Sequence, residues 1–202
     1  GSLQKILGKT LLDESRGLIT PSQPNGSGVD ALVVTLSAGP AVKTLIVGLL
    51  KEVSLDSARR LAETTYSRIV DTIAINDQRK PGQQIDGILR AAPDLVVIAG
   101  GTDGGASLSI QKLLEPIGLA SFLLPQEKRP AVLFAGNKKM EGEVSSLVGS
   151  LASSLHFSSN IRPSLETEDV EPAERELARM FVNIRKKQIK GVALLDVWSG
   201  GH

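Results

Sequence analysis

Residues 96–105 read Val-Val-Ile-Ala-Gly-Gly-Thr-Asp-Gly-Gly, the most informative stretch of the chain. The apolar residues predict a buried strand, and the glycines after them predict a tight turn into a helix that begins near Ala106. A helix N-terminus presents unpaired N–H groups and a partial positive charge. Two interpretations stay open: the loop holds an anionic ligand or a partner's carboxylate, or it is a turn with nothing bound.

Strands and helices alternate along most of the chain. Apolar runs of strand length predict strands at 68–75, 95–99, 131–134, 156–160 and 191–197. Amphipathic patterns predict helices at 54–66, 83–91, 106–117, 137–154 and 171–188. Strands separated by helices of this length indicate a parallel sheet covered on both faces. The sequence therefore predicts a three-layer α/β/α domain with a mostly parallel, Rossmann-like sheet.

The start of the chain departs from this pattern. Residues 3–14 predict a short amphipathic helix, and the stretch 20–28, rich in Pro, Gly and Ser, predicts a linker. Gly1-Ser2 is typical of a remnant of tag cleavage, which indicates a piece excised from a longer protein. We therefore divide the chain into residues 1–28, comprising tag remnant, helix and linker, and an α/β domain at 29–202.

An antiparallel addition is expected near the start of the sheet. Apolar runs at 31–36 and 44–49 predict antiparallel neighbours because only a short gap separates them, and Ser54 is a candidate N-cap for the next helix. The apolar runs are too continuous for strands with one wet face, so their side chains should be buried. The side chains expected to be nearly fully buried are Leu32, Val34, Ile46, Ile73, Val97, Ile98, Val132, Leu133 and Leu194.

Composition argues against several classes of function. The 202 residues carry 23 Lys and Arg against 22 Asp and Glu, so the net charge of +1 gives no electrostatic argument for nucleic acid or a membrane surface. Aromatic residues make up 3%, and the apolar runs are too short to span a membrane. The chain has no Cys and two His, which leaves little material for a metal site, a thiol nucleophile or a Ser-His-Asp triad. We expect a cytoplasmic domain with no catalytic residues, cofactor or metal.

Two strand–helix junctions carry candidate binding residues. Thr102 is suited to donate to an anionic oxygen, and Asp103 to hold a hydroxyl, a metal-bound water or a partner's Lys; alternatively, both satisfy the backbone of the turn or cap the helix. Asn137 follows the next strand and is also an acceptable N-cap. Because parallel strands end at one edge, both loops should line one cleft there, with the N–H groups near Gly104 and Gly105 facing outward if the cleft is functional.

Arg162 is the best candidate for a charge-assisted contact to a carboxylate or phosphate, with an ion pair to Glu166 or Glu168 as the alternative. His156 is expected to be a packed histidine rather than a base. The full set of candidate ligand- or partner-binding residues is Gly100, Gly101, Thr102, Asp103, Gly104, Gly105, Asn137 and Arg162.

Several segments together resemble the MutL family. They are Ser37-Ala38-Gly39, Ile46-Val47-Gly48-Leu49, Ser57-Ala58-Arg59-Arg60-Leu61-Ala62, Asp94 to Gly105, Phe134-Ala135-Gly136-Asn137 and Asn160-Ile161-Arg162-Pro163. This is the glutamate mutase accessory family, unrelated to the mismatch-repair protein that shares its name. The resemblance covers about residues 30–200.

The resemblance implies a region of a larger protein similar to actin-like ATPases. The first phosphate motif of such proteins, Asp-x-Gly-Ser/Thr, is not in this sequence. The second would begin at Leu194-Leu195-Asp196-Val197, but Trp198-Ser199 intervene before Gly200-Gly201. We therefore expect a non-catalytic domain that holds a partner, either a mutase or the rest of the parent chain, or completes a larger ATPase-like body. The alternative is a module that binds a small anion through Gly100–Gly105.

Overall fold

The computed structural model describes residues 2–15, 17–33, 39–105 and 107–189, and the chain divides into two compact units. One unit comprises Gly1–Gly39 with Lys186–His202, and the other comprises Pro40–Arg185. The second unit contains the whole sheet.

The first unit opens with the helix α1, Ser2–Leu7, which is shorter than the 3–14 predicted. Gly8 follows with a φ of +62°, a left-handed conformation that ends helices. The Gln4 side chain then accepts hydrogen bonds from the N–H groups of Leu11 and Leu12, each at 2.9 Å, and so turns the chain back. Residues 20–28 form an irregular segment, as their composition predicts.

The second unit is built on a five-stranded, all-parallel sheet in the order β2-β1-β3-β4-β5. Its strands are β1 (Val42–Gly48), β2 (Ser67–Ala74), β3 (Leu95–Ala99), β4 (Ala131–Phe134) and β5 (Ser154–Phe157). The parallel sheet is confirmed, and β3 and β4 have the predicted bounds.

The prediction that an antiparallel strand lies beside β1 is wrong for residues 31–33, the part of the predicted strand that the structure describes. Residues 31–33 have no regular structure, Leu32 is only half-buried, and residues 34–36 lie outside the described ranges. Both edges of β1 are already hydrogen-bonded, one to β2 and the other to β3, so no ladder position remains beside it. The predicted strand at 191–197 also lies outside the described ranges.

Helices cover both faces of this sheet. They are α2 (Asp56–Glu63), α3 (Pro81–Ala91), α4 (Ser107–Leu123), α5 (Glu141–Val148) and α6 (Glu171–Gln188). Side chains of α2 and α6 pack on one face, and those of α3, α4 and α5 pack on the other. The three-layer arrangement predicted from the sequence is therefore confirmed.

The buried strand side chains form the two halves of the core. Six of the nine expected to be buried are at most 2% exposed, namely Ile46, Ile73, Val97, Ile98, Val132 and Leu133. Val34 and Leu194 lie outside the described ranges. Burying a Leu, Ile or Val side chain stabilises a fold by roughly 1.5–3 kcal/mol, so this sheet is a rigid platform for the loops at its edge.

Two helices begin or end differently from the prediction. Ser54 does not act as an N-cap: a π-helical turn over Lys51–Leu55 precedes α2, and the Ser54 hydroxyl lies inside that turn, 2.9 Å from the N–H of Leu50. The helix predicted at 137–154 is divided into two 3₁₀ turns with α5 between them. Among the described helices, none is long and apolar enough to cross a membrane.

Candidate functional site

The glycine loop lies at the carboxyl edge of the sheet, as predicted. It runs from Gly100 to Gly105, between the end of β3 and the start of α4; Ala106 lies outside the described ranges. Gly101 and Gly104 have φ values of +73° and +81°, a backbone conformation that only glycine adopts without strain. These two residues let the chain reverse direction within a few residues of a buried strand.

The loop that follows β4 packs directly against the glycine loop. A Cβ atom on Gly136 would lie 2.5 Å from the carbonyl oxygen of Gly100, so glycine is required for this approach. The Asn137 side chain is 2% exposed, accepts from the N–H of Lys139 at 3.1 Å, and donates to the carbonyl of Gly105 at 3.3 Å. Asn137 is thus an N-cap, as its alternative role predicted, and it also joins the two loops.

Asn160 is the residue that the sequence analysis missed. Its amide nitrogen lies 2.9 Å from both the carbonyl of Gly101 and the carboxylate of Asp103, and its amide oxygen accepts from the N–H of Arg162 at 3.0 Å. The N–H of Asp103 donates to the carbonyl of Pro163 at 3.0 Å. The available signal was a polar residue placed directly after a strand, in the segment Asn160-Ile161-Arg162-Pro163.

Asp103 and the N–H of Gly105 have hydrogen-bond partners within these loops, whereas the N–H of Gly104 has none among the described residues. The carboxylate of Asp103 is engaged by Asn160, and the N–H of Gly105 donates to the carbonyl of Thr102 at 2.8 Å. The expectation of an outward-facing N–H at Gly105 is therefore wrong, because the turn uses that donor itself. The N–H of Gly104 has no hydrogen-bond partner among the described residues. Anion binding at this loop stays a prediction.

Arg162 is held by a cluster of side chains that includes Ser57, Glu168 and Arg60. Its Nε donates to the Ser57 hydroxyl at 2.7 Å, and its Nη2 lies 3.8 Å from Glu168. The alternative of an ion pair with Glu168 is therefore observed, although Glu168 lies closer to Arg60, at 2.6 Å. Hydrogen bonding with Ser57, followed by that with Arg60, lowers the pKa of Glu168 below its ordinary value of 4.5.

A cleft lies between the loops that follow β1 and β3. In the sheet, β2 and β3 lie on opposite sides of β1. The loop after β1 leads to α2 on one face and the loop after β3 leads to α4 on the other face, so the two loops diverge. Such a switch point is where open α/β sheets bind ligands. The cleft has a volume of about 250 Å³. Its apolar lining includes Leu49, Leu50 and Val53, and its polar lining includes Thr102 and Arg162.

One histidine, His156 on β5, is paired with a carboxylate. His156 Nδ1 lies 2.6 Å from Glu176, so this pair joins β5 to α6; the histidine side chain is 27% exposed, and its predicted role as a packed residue rather than a base stays a prediction. In the described ranges, no group of three or more His, Cys, Asp or Glu is placed to hold a metal ion. The candidate site is therefore an edge of interlocked loops beside an apolar cleft.

Comparison with known proteins assigns the family. A family model described as MutL protein matches residues 4–200. The chain belongs to the MutL family. It is 27% identical over 165 residues to Protein MutL of Clostridium tetanomorphum, a match that covers 82% of this chain and 34% of that protein. The chain thus spans about a third of this relative. No solved structure gave a significant match.

Proposed function

We propose that this chain is a non-catalytic domain of a MutL-family accessory protein and that it binds a protein partner. The partner is a mutase or the remainder of the parent protein, since the relative from Clostridium tetanomorphum is about three times as long as the region matched. In both cases the domain contributes a preformed surface rather than a chemical step.

The observation that carries this proposal is an apolar patch at the end of α4, formed by Leu119, Phe122 and Leu123. Their exposed fractions are 55%, 65% and 60%. Soluble proteins rarely leave several neighbouring large apolar side chains in water unless another surface covers them. The side chains lie on one stretch of helix whose other faces are already packed against α3 and α5, so the patch is held in a fixed orientation.

The loops at the carboxyl edge support the non-catalytic part of the proposal. Asp103, Asn137 and Arg162, the polar side chains predicted to bind, each form hydrogen bonds to another loop or helix. A general base or nucleophile needs a free lone pair next to the substrate and a pKa tuned for its task. An amide and a guanidinium cannot act as a base, so Asn137 and Arg162 do not meet that requirement, and one oxygen of the Asp103 carboxylate accepts a hydrogen bond from Asn160.

The test is direct binding of the 202-residue chain to purified glutamate mutase, measured by isothermal titration calorimetry and by analytical ultracentrifugation. We expect a stoichiometric complex, and we expect Phe122→Asp to weaken it at least about tenfold because a charge would be buried in an apolar contact. The matched control is Val182→Asp, which changes a half-exposed apolar residue on α6, on the other face of the sheet.

Two outcomes would count against the proposal. Equal loss of binding in both variants would mean that the patch on α4 is not the contact surface. The chain is also tested against the remainder of the parent protein, produced without this domain. If it forms no complex with the mutase and none with this remainder, the partner-binding role is refuted.

A further inference from the structure

The cleft between the loops after β1 and β3 is lined by apolar side chains and one cationic side chain. Leu49, Leu50, Val53, Ile75 and Leu165 contribute apolar surface. Among the described residues that line the cleft, Arg162 is the only charged one. A site with apolar walls and one charged group is the usual arrangement for binding a small molecule in a defined orientation.

Arg162 keeps hydrogen-bonding capacity at the end of its side chain. The side chain is 18% exposed, and its one short bond is from Nε to Ser57. The terminal nitrogens have only long contacts, 3.4 Å from Nη1 to the carbonyl of Leu165 and 3.8 Å from Nη2 to Glu168. Normal N–H···O bonds are about 2.9–3.0 Å long. Each terminal nitrogen carries two N–H groups, so donors remain on both nitrogens to bind a carboxylate through two parallel bonds.

The charge around Arg162 is not neutralised by its own cluster. Glu168 is shared between Arg60 and Arg162 and lies nearer Arg60, so the three side chains together carry one excess positive charge. The lowered pKa of Glu168 keeps its carboxylate ionised near neutral pH. A bound anion would therefore meet a net positive site without having to displace a short ion pair of Arg162.

The size of the cleft limits the ligand to a small molecule. Its volume of about 250 Å³ is below the roughly 300–1,000 Å³ of pockets that hold drug-sized ligands. A short aliphatic chain matches the walls.

We propose that this cleft binds a small carboxylic acid with an apolar body, with the carboxylate on the terminal nitrogens of Arg162 and the carbon chain against Leu50, Val53 and Ile75. The site lies at the switch point of the sheet and includes Gly101 and Thr102 of the loop for which anion binding was predicted. It concerns the chain alone and does not depend on a protein partner.

The experiment titrates the 202-residue chain with hexanoate and with hexanamide, which has the same carbon chain but no charge. Binding is followed by chemical shifts in ¹H–¹⁵N spectra. Hexanoate should bind at least about tenfold more tightly, the value expected for a charge-assisted bond of about 1.5 kcal/mol. The shifts should concentrate at residues 49–54 and 100–102.

Two variants separate the carboxylate contact from folding. Arg162→Gln removes the cation and should abolish the preference for hexanoate over hexanamide. Because Arg162 also holds Ser57, a second variant, Leu165→Glu, places a carboxylate beside the cleft at a position that is 59% exposed and should weaken hexanoate binding about tenfold. The matched control, Val182→Glu, makes a comparable change at a position that is 50% exposed, on α6 and outside the cleft.

The proposal is overturned by any of three results: equal affinity for the acid and the amide, hexanoate affinity unchanged in Leu165→Glu, or no shifts at the cleft residues with hexanoate, isovalerate or butyrate. Circular dichroism of each variant establishes that the domain remains folded.

Discussion

Asn160 joins two loops, the glycine loop and the loop after β5, through a single amide group. Its nitrogen serves the glycine loop at Gly101 and Asp103, and its oxygen serves the backbone of Arg162. The side chain is 7% exposed, so none of these bonds is replaced by water without rearrangement. At the scale of single residues, the loops at the carboxyl edge are therefore held together by a buried amide, and not only by Asp103 and Arg162, the charged side chains that the sequence analysis singled out.

Asn160→Ala should lower the free energy of unfolding by about 1–3 kcal/mol, because it removes three hydrogen bonds that hold the glycine loop and the loop after β5, each worth about 0.5–1.5 kcal/mol. Urea unfolding at neutral pH measures the loss. The control is Ser158→Ala, which removes an exposed hydroxyl bonded only to the neighbouring Ser159 carbonyl and should change stability little. Equal effects in the two variants would contradict the role given to Asn160.

Glu168 should make the stability of the domain depend on acid pH. Its pKa is lowered in the folded state, chiefly by Ser57 and then by Arg60, so its contribution is fully present above the ordinary value of 4.5 and disappears as pH falls through the folded value. Glu168→Gln should cost less than about 1 kcal/mol at pH 7, because the side chain is partly exposed. The difference from the unmodified chain should vanish in thermal melts toward pH 3. A difference independent of pH, or equal to that of Glu63→Gln at the exposed end of α2, would show that ionisation of Glu168 is not involved.

At the scale of elements, the glycine loop and α5 give opposite predictions for the same substitution. Gly104 has a φ of +81° with open space around it, so Gly104→Ala meets no clash but places Cβ in a left-handed conformation. We expect a loss of about 1–2 kcal/mol in unfolding free energy. Gly142 also has open space but lies within α5, so Gly142→Ala should stabilise by about 0.5–1 kcal/mol. Denaturant unfolding of both variants decides this, and the same sign for the two would refute the argument.

The elements with the strongest local patterns were the predictable ones. In β3, β4 and α6 the apolar runs or helical periodicity are uninterrupted, and their predicted bounds agree with the structure. Prediction was poorer at the start of α2, where a π-helical turn over Lys51–Leu55 precedes the helix. The bond from Asn160 to Gly101 spans 59 positions, and no local pattern encodes such a contact.

At the scale of the whole molecule, strand order decides where the cleft lies. The sequence predicted that the loops after β3 and β4 share an edge, and they do meet at Gly100 and Gly136. The switch point is instead between β1 and β3, which are separated by two helices and a strand along the chain. Periodicity reports which face of an element is buried but not which strand is its neighbour. For this reason Leu50, Val53 and Ile75 were not recognised as site residues.

The same arrangement leads us to expect no ATP hydrolysis by this chain. Phosphate cradles need several backbone N–H groups free to point at the ligand, and those of Asp103 and Gly105 already donate to the carbonyls of Pro163 and Thr102. The cleft of about 250 Å³ is too small for a nucleotide, and the altered phosphate motif around Asp196 lies outside the described ranges. Phosphate release by the 202-residue chain with Mg²⁺-ATP should equal that of a blank. Turnover that is lost in Asp196→Ala would show that this chain completes a nucleotide site by itself; turnover that persists in this variant would point to a contaminating enzyme.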